Sequence, residues 1–284
     1  MARLKAHREM LDKYLTTDNL PTAWCPGCGC GIVAQALVRA MDGTGIDPDK
    51  FAFVTGIGCN GFIPRYFRFN ELHVLHGRAP GYATGLKMAR PDLTVITIQG
   101  DGDLAAIGGN HFIHAARRNI DITTIVSNNF IFGRTGGQYG PTTFYQDRAS
   151  TAPYGMPERP FDLCRLGEAA GATFVARGTV YGVVRLIDIL QKAILHKGFS
   201  LVEAITPCPT SYGRRNPEKA GTSGSEMIKW IRENSISLSK ANRMRPADIE
   251  GKIITGIFAE KNEPECTDEY EKIRQKARAG LSSV

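Results

Sequence analysis

Residues 94–138 read TVITIQGDGDLAAIGGNHFIHAARRNIDITTIVSNNFIFGRTGGQ. Val95 to Ile98 is a short β-branched run, which reads as a strand. Gly100-Asp101-Gly102-Asp103 follows as a turn rich in glycine and acid. Leu104 to Arg118 then has helical spacing, with Leu104, Ile107, His111 and Ala115 on one side. Ile122 to Val126 is β-branched again and ends in Asn128-Asn129. Strand, helix, strand in so short a span is a βαβ unit, whose two strands are parallel neighbours. The fold class that follows is α/β, a mostly parallel sheet with helices on both faces. Both polar clusters then fall at the carboxyl ends of adjacent strands, where open α/β sheets bind ligands.

Asp101 offers a carboxylate and Asn129 an amide oxygen, and the chain just after Asn129 can offer a carbonyl. Such hard oxygen donors, few in number, suit Mg2+ shared with a phosphorylated ligand. Gly100 and Gly102 let a diphosphate approach the main chain closely. Gly-Asp-Gly by itself is most often a plain turn. The paired asparagines on the next strand argue for more, because a turn or cap needs only one of them.

The chain of 284 residues is 42% hydrophobic and 22% charged, the balance of a water-soluble globular protein. The start, MARLKAHREMLDKYL, is amphipathic without an apolar signal core, so a cytoplasmic location is expected. No stretch is apolar enough to span a membrane. The net charge of +7 favours acidic proteins and phosphorylated cofactors as partners. The basic residues are dispersed and form no nucleic-acid motif. Seven cysteines without a signal peptide speak against a disulfide framework.

Residues 1–20 read as a surface helix. Cys25-Pro26-Gly27-Cys28 is a C-x-x-C in a tight turn before a helix from Ile32 to Met41, with Cys30 a small core residue. Phe51 to Thr55 is a strand that runs into Gly56-Ile57-Gly58-Cys59-Asn60-Gly61. That spelling matches a dinucleotide fingerprint, but Pro64 and the aromatic residues Phe62, Tyr66, Phe67 and Phe69 stand where its helix should open. Leu72 to Leu75 reads as a strand, followed by His76-Gly77-Arg78 and a helix from Ala79 to Ala89. Residues 135–160 form a long loop. Beyond it come a helix from Phe161 to Ala170, a strand from Thr173 to Ala176, and a helix from Val180 to His196. Ser200 to Ile205 reads as the last core strand, ending near Cys208. Residues 1–221 make one domain; 222–284 read as a charged helical extension with a strand at Ile253 to Phe258, packing on a partner. Cys25, Cys28, Cys59 and Cys208 are four thiols that this topology brings to one edge, suited to zinc or to an iron–sulfur cluster. Cys164 and Cys266 read as inert.

Gly-Asp-Gly with Asn-Asn after a helix resembles the diphosphate-and-magnesium motif of thiamine diphosphate enzymes. GGNHFIHAARRNID and the TGGQ-PTT segment are similar to the β subunit of 2-oxoacid:ferredoxin oxidoreductases, nearest the 2-oxoglutarate branch, from Trp24 to about Phe258. The resemblance implies the thiamine diphosphate-binding, or pyrophosphate-domain, fold. It implies Mg2+ on Asp101, Asn129 and the Ile131 carbonyl. Thiamine diphosphate is expected against Ile57, Gly58, Cys59, Asn60, His76, Gly100, Gly102 and Gly133. A 4Fe-4S cluster is expected on Cys25, Cys28, Cys59 and Cys208. His76, Asn60 and Arg134 are the expected catalytic side chains. The implied reaction is oxidative decarboxylation of a 2-oxo acid, with electrons leaving through the cluster to ferredoxin and the acyl group passing to coenzyme A. The glutamate that activates the aminopyrimidine ring is expected on a separate α subunit, with further γ or δ ferredoxin-like subunits in some assemblies.

Two features depart from the family pattern. Cys59 is followed by Asn60-Gly61-Phe62, where many members have serine, a small residue and a base. Arg134 precedes Thr135-Gly136-Gly137, where an aliphatic residue is usual. Substrate choice therefore lies between 2-oxoglutarate and another 2-oxo acid such as pyruvate or a branched-chain acid. A non-redox thiamine decarboxylase or carboligase and a zinc-holding module are the alternatives.

Overall fold

The computed structural model describes residues 9–280. The N-terminal helix expected over residues 1–20 is helical from 9 to 14, and residues 1–8 lie outside the described residues. Eight strands form one sheet in the order β2-β1-β3-β4-β6-β5-β8-β7. They are β1 (Phe51–Thr55), β2 (Asn70–His73), β3 (Thr94–Gly100), β4 (Ile122–Asn128), β5 (Phe174–Thr179), β6 (Ser200–Ile205), β7 (Ser235–Ser237) and β8 (Ile253–Glu260). The first six run parallel. As expected of the βαβ unit, β3 and β4 are neighbours, with Val95 opposite Ile122 and Gly100 opposite Ser127. β1, β4, β5 and β6 are buried at every position, because helices cover both faces.

On one face lie α1 (Cys30–Thr44) and α5 (Val183–Leu195), closing a core of Leu37, Met41, Phe53, Ile98, Leu190 and Val202. On the other lie α2 (Ala79–Ala89), α3 (Gly109–Arg117) and α4 (Leu163–Ala169), around Val95, Leu104, Phe112, Phe199 and Leu201. No helix among the described residues is long and apolar enough to cross a membrane.

Three expectations are corrected. The helix read from Leu104 to Arg118 begins as a wide π-type turn, Asp103–Ile107, and becomes α-helical only at Gly109. The loop after His76 presses on the break, since a Cβ on Gly77 would lie 2.6 Å from the Gly108 nitrogen. π-type turns of this sort concentrate at functional sites. β2 starts two residues earlier than Leu72, and Leu75 is exposed in the turn that follows. Ser200–Ile205 is not the last strand of the sheet. β8 pairs antiparallel with β5, and β7 adds to β8. α6 (Gly224–Asn234) carries a full capping box on Ser223 and Glu226, and α7 (Cys266–Arg278) follows the sheet.

Candidate active site at the carboxyl edge of the sheet

Five adjacent parallel strands deliver their following residues to one edge. In sheet order these are His76 after β2, Ile57 to Asn60 after β1, Gly100 to Asp103 at the end of β3, Asn129 to Gly133 after β4, and Cys208 after β6. A cavity of about 90 Å³ is lined by Ile57, Gly58, Cys59, Asn60, His76, Gly100, Asp101, Gly102, Asp103, Asn129, Ile131, Phe132, Gly133, Arg134 and Thr135. Every residue expected at the thiamine and magnesium sites lies on this wall.

The Asp101 carboxyl is buried and accepts from the Thr142 hydroxyl. Burial pushes it up to about 7, with Thr142 opposing. A carboxyl so desolvated, with a single side-chain donor, has the chemistry of a cation ligand. The two asparagines divide their roles. Asn128 is structural: its amide donates to Glu203 at 2.7 Å, and its oxygen accepts from Phe130 N and Thr142 Oγ1. Asn129 turns to the cavity, its oxygen accepting from Ile131 N at 3.2 Å. Between them and Ile131, Phe130 takes a left-handed φ of 64°, a strained conformation for a bulky residue. Its ring is held 4.6 Å from Phe144 and near Tyr212 and Trp230. Gly102 lies against Phe132, where a Cβ would come within 2.1 Å of the ring.

The four thiols Cys25, Cys28, Cys59 and Cys208 line a second cavity of about 340 Å³. Gly29 makes this possible. A Cβ there would sit 2.6 Å from Thr206 Cβ, and its N–H donates to Pro207 O at 3.2 Å, so the 25–30 turn docks onto the chain carrying Cys208. Trp24 Nε1 donates to Cys59 O at 2.8 Å. Burial and the neighbouring Cys28 and Cys208 push the Cys59 thiol up to about 11; metal loading would take its proton's place. No group of three or more His, Cys, Asp or Glu among the described residues is set to hold one metal ion. Cys30 is buried, as expected, and donates to Asn60 Oδ1 at 3.0 Å. Cys164 is fully buried at 3.5 Å from Glu203 Oε2, away from this cavity.

The two cavities share Cys59, Asn129, Gly133 and Arg134. Arg134 is exposed; its guanidinium lies 4.6 Å from the Phe62 ring and donates to Ala23 O at 3.2 Å. Asn60 is buried, its amide donating to Ser127 O at 3.2 Å, which places it under the floor more than in the cavity mouth.

Two residues escaped the sequence reading. Thr142 is one. Asp103 is the other: its Oδ1 takes His76 Nδ1 at 2.5 Å, Gly77 N at 2.7 Å and Ile57 N at 3.2 Å, and its Oδ2 takes Gln99 Nε2 at 2.8 Å. The G-x-G-x-x-G spelling serves this centre. A Cβ on Gly56 would fall 1.9 Å from Asp103 Oδ2, and one on Gly61 would fall 2.4 Å from Gly56 O. The second acid of Gly-Asp-Gly-Asp was the available signal for Asp103, and the PTT segment for Thr142.

Comparison with known proteins shows the family. Residues 56–204 match the thiamine pyrophosphate enzyme, C-terminal TPP binding domain. The chain is 46% identical to 2-oxoglutarate synthase subunit KorB of Methanocaldococcus jannaschii, over 94% of this chain and 98% of that one. It is 43% identical to the 2-oxoacid:ferredoxin oxidoreductase subunit beta of Saccharolobus solfataricus, over 66% of this chain and 62% of that one. The solved 2-oxoglutarate:ferredoxin oxidoreductase from Magnetococcus marinus, with 2-oxoglutarate, coenzyme A and succinyl-CoA bound, superimposes with a TM-score of 0.83 at 33% identity, covering 96% of this chain and 92% of that one. The chain belongs to the β subunits of the thiamine diphosphate-dependent 2-oxoglutarate:ferredoxin oxidoreductases.

Proposed function

We propose that this chain carries the thiamine diphosphate, Mg2+ and 4Fe-4S sites of an enzyme that oxidatively decarboxylates 2-oxoglutarate to an acyl-coenzyme A, passing electrons to ferredoxin. The carrying observation is the shared wall: Cys59, Asn129, Gly133 and Arg134 face both cavities. A non-redox decarboxylase has no use for four thiols beside its cofactor.

Asp101, Asn129 and the Ile131 carbonyl would hold Mg2+, with Gly100, Gly102 and Gly133 leaving room for the diphosphate. Ile57 to Asn60 and His76 would line the reacting end. Cys25, Cys28, Cys59 and Cys208 would ligate the cluster. Bound there, thiamine diphosphate supplies a carbanion sink for decarboxylation and the cluster a one-electron carrier. The residues of this chain bind, orient and shield: Thr142 holds the Asp101 carboxyl in place, and the strained Phe130 turn fixes Asn129 and Ile131 in one geometry.

A cavity of about 90 Å³ is small beside the roughly 300 Å³ or more of an enclosed ligand pocket. This supports a partner α subunit that closes the site and brings the activating glutamate. We read residues 222–284 as the part of the chain that packs on a partner, although β7 and β8 belong to the sheet. Arg134 is the side chain we assign to the distal carboxylate of 2-oxoglutarate, once the α subunit desolvates it. A cytoplasmic setting fits seven unpaired thiols.

Anaerobic purification with the partner subunit tests the reading. About four iron atoms per chain, broad visible absorbance and bound thiamine diphosphate are expected. Colourless protein holding zinc would overturn the cluster, and thiamine diphosphate without iron would support the non-redox decarboxylase.

A further inference from the structure

We propose that Asp103 is a positioning residue that locks His76 in its Nδ1–H tautomer, and thereby commits the lone pair of Nε2 to the cavity as a hydrogen-bond acceptor for an N–H or O–H of the reacting molecules. The inference deepens the proposed function and rests on it.

Four donors converge on one buried carboxylate. Oδ1 faces His76 Nδ1 at 2.5 Å, Gly77 N at 2.7 Å and Ile57 N at 3.2 Å. Oδ2 faces Gln99 Nε2 at 2.8 Å. Two of the three groups at Oδ1 are main-chain N–H groups, which can only donate. The oxygen they surround therefore acts as an acceptor, and the imidazole nitrogen that joins them must carry a proton. The other ring nitrogen is then the unprotonated one in neutral histidine. His76 Nε2 has no hydrogen-bond partner among the described residues, and His76 lines the cavity. The carboxylate cannot easily turn away. Gly56 leaves it just enough room, as a Cβ there would lie 1.9 Å from Oδ2. The ring is also steadied edge-on against Phe132, with centroids 6.4 Å apart.

The same carboxylate ties together the turns after β1 and β2 and the end of β3, so a purely structural brace is the rival explanation. Asp103→Asn separates the two. The new amide oxygen can still accept from Ile57 N and Gly77 N, and the Gln99 side chain can turn its amide to receive the new N–H, because Gln99 Oε1 is without a partner. The brace is kept while the charge-assisted bond to His76 becomes a neutral one, about half as strong.

The test is a double-mutant cycle in the assembled complex, with 2-oxoglutarate turnover, thiamine diphosphate affinity by calorimetry and the electron paramagnetic resonance of the reduced cluster measured for each form. Asp103→Asn is expected to lose about tenfold, and His76→Asn about a hundredfold. The double variant is expected to be no worse than His76→Asn within about twofold, with the cluster signal unchanged throughout. A loss read in cofactor affinity puts the donor on thiamine diphosphate; a loss in kcat at unchanged KM puts it on the substrate. Either supports the lock, provided it vanishes in the His76→Asn background. If Asp103→Asn costs the same factor with and without His76, Asp103 is a brace and the proposal fails. Should that variant not assemble, the tautomer is read in the wild-type complex from the nitrogen-15 shifts of the His76 imidazole: a protonated Nδ1 with a bare Nε2 supports the lock, and a bare Nδ1 overturns it. A wild-type complex that turns over no 2-oxo acid would instead sink the underlying reading of function, independently of the variants.

Discussion

Gly102→Ala isolates the steric logic of the cofactor wall. Gly102 sits at φ −68° and ψ −32°, where alanine is as comfortable as glycine, so any effect must come from the added methyl. That methyl would lie 2.1 Å from Phe132 Cε1, 2.6 Å from Cζ and 2.7 Å from Cδ1. Carbon atoms prefer separations of about 3.5–4.0 Å, so the ring edge must retreat by more than about 1 Å. Phe132 is only half-buried and borders the cavity. In the free protein it can swing into that space at little cost. Cofactor binding then has to force it back. Overpacking of this kind typically costs about 1–3 kcal/mol, which corresponds to a loss of affinity of about 5- to 150-fold. Calorimetric titration of thiamine diphosphate with Mg2+ into the assembled complex reads it directly. Phe132→Leu in the same chain should recover most of the loss. Gly85→Ala is the control: nothing lies within 4 Å of its Cβ, so it should bind cofactor normally and gain roughly 0.5–1 kcal/mol of stability. Wild-type affinity in Gly102→Ala, or no recovery with Phe132→Leu, would refute the reasoning.

Three further outcomes are expected. Asp101→Ala should abolish thiamine diphosphate binding yet leave iron content and the visible spectrum intact, because Asp101 lines only the first cavity and not the one that holds all four cysteines; normal cofactor occupancy would remove Asp101 from the metal site. Cys208→Ser should lower iron content and block electron transfer, since a hydroxyl is a poor ligand for iron, while Cys164→Ser should do neither; full iron in both would mean the fourth ligand lies elsewhere. Arg134→Met should raise the Michaelis constant for 2-oxoglutarate more than tenfold, as expected for losing about 2–5 kcal/mol of a desolvated charge pair, with pyruvate turnover little changed. Equal effects on both acids would move the distal carboxylate to the α subunit.

The alternation of β-branched runs with helical spacing made the parallel sheet legible, because strands buried on both faces are written as continuous apolar runs. The same reading put Asp101 and Asn129 on one edge, since parallel strands share a carboxyl end. It could not divide the asparagines. Asn128 takes its structural role from Glu203 and Thr142, partners 75 and 14 residues away. Asp103 was hidden for a similar reason. In sequence it extends an acidic turn, and only the fold brings Ile57, His76 and Gly77 to its carboxylate. The strand expected at Ile253 to Phe258 forms as β8, but its place beside β5 is a tertiary choice that local pattern does not encode. The Asp103–Ile107 turn was read as an ordinary helix because the apolar spacing is the same. What local spacing does not show is the close approach of Gly77 to Gly108 at the end of that turn.

The claim that the two adjacent cavities work as one redox unit is tested most directly by mixing the anaerobic, oxidised complex with 2-oxoglutarate and no external acceptor. Electron paramagnetic resonance should then show the signal of a reduced 4Fe-4S cluster, and that signal should be absent in Cys208→Ser and in Asp101→Ala. A complex that releases carbon dioxide from 2-oxoglutarate while its cluster stays oxidised would contradict the account.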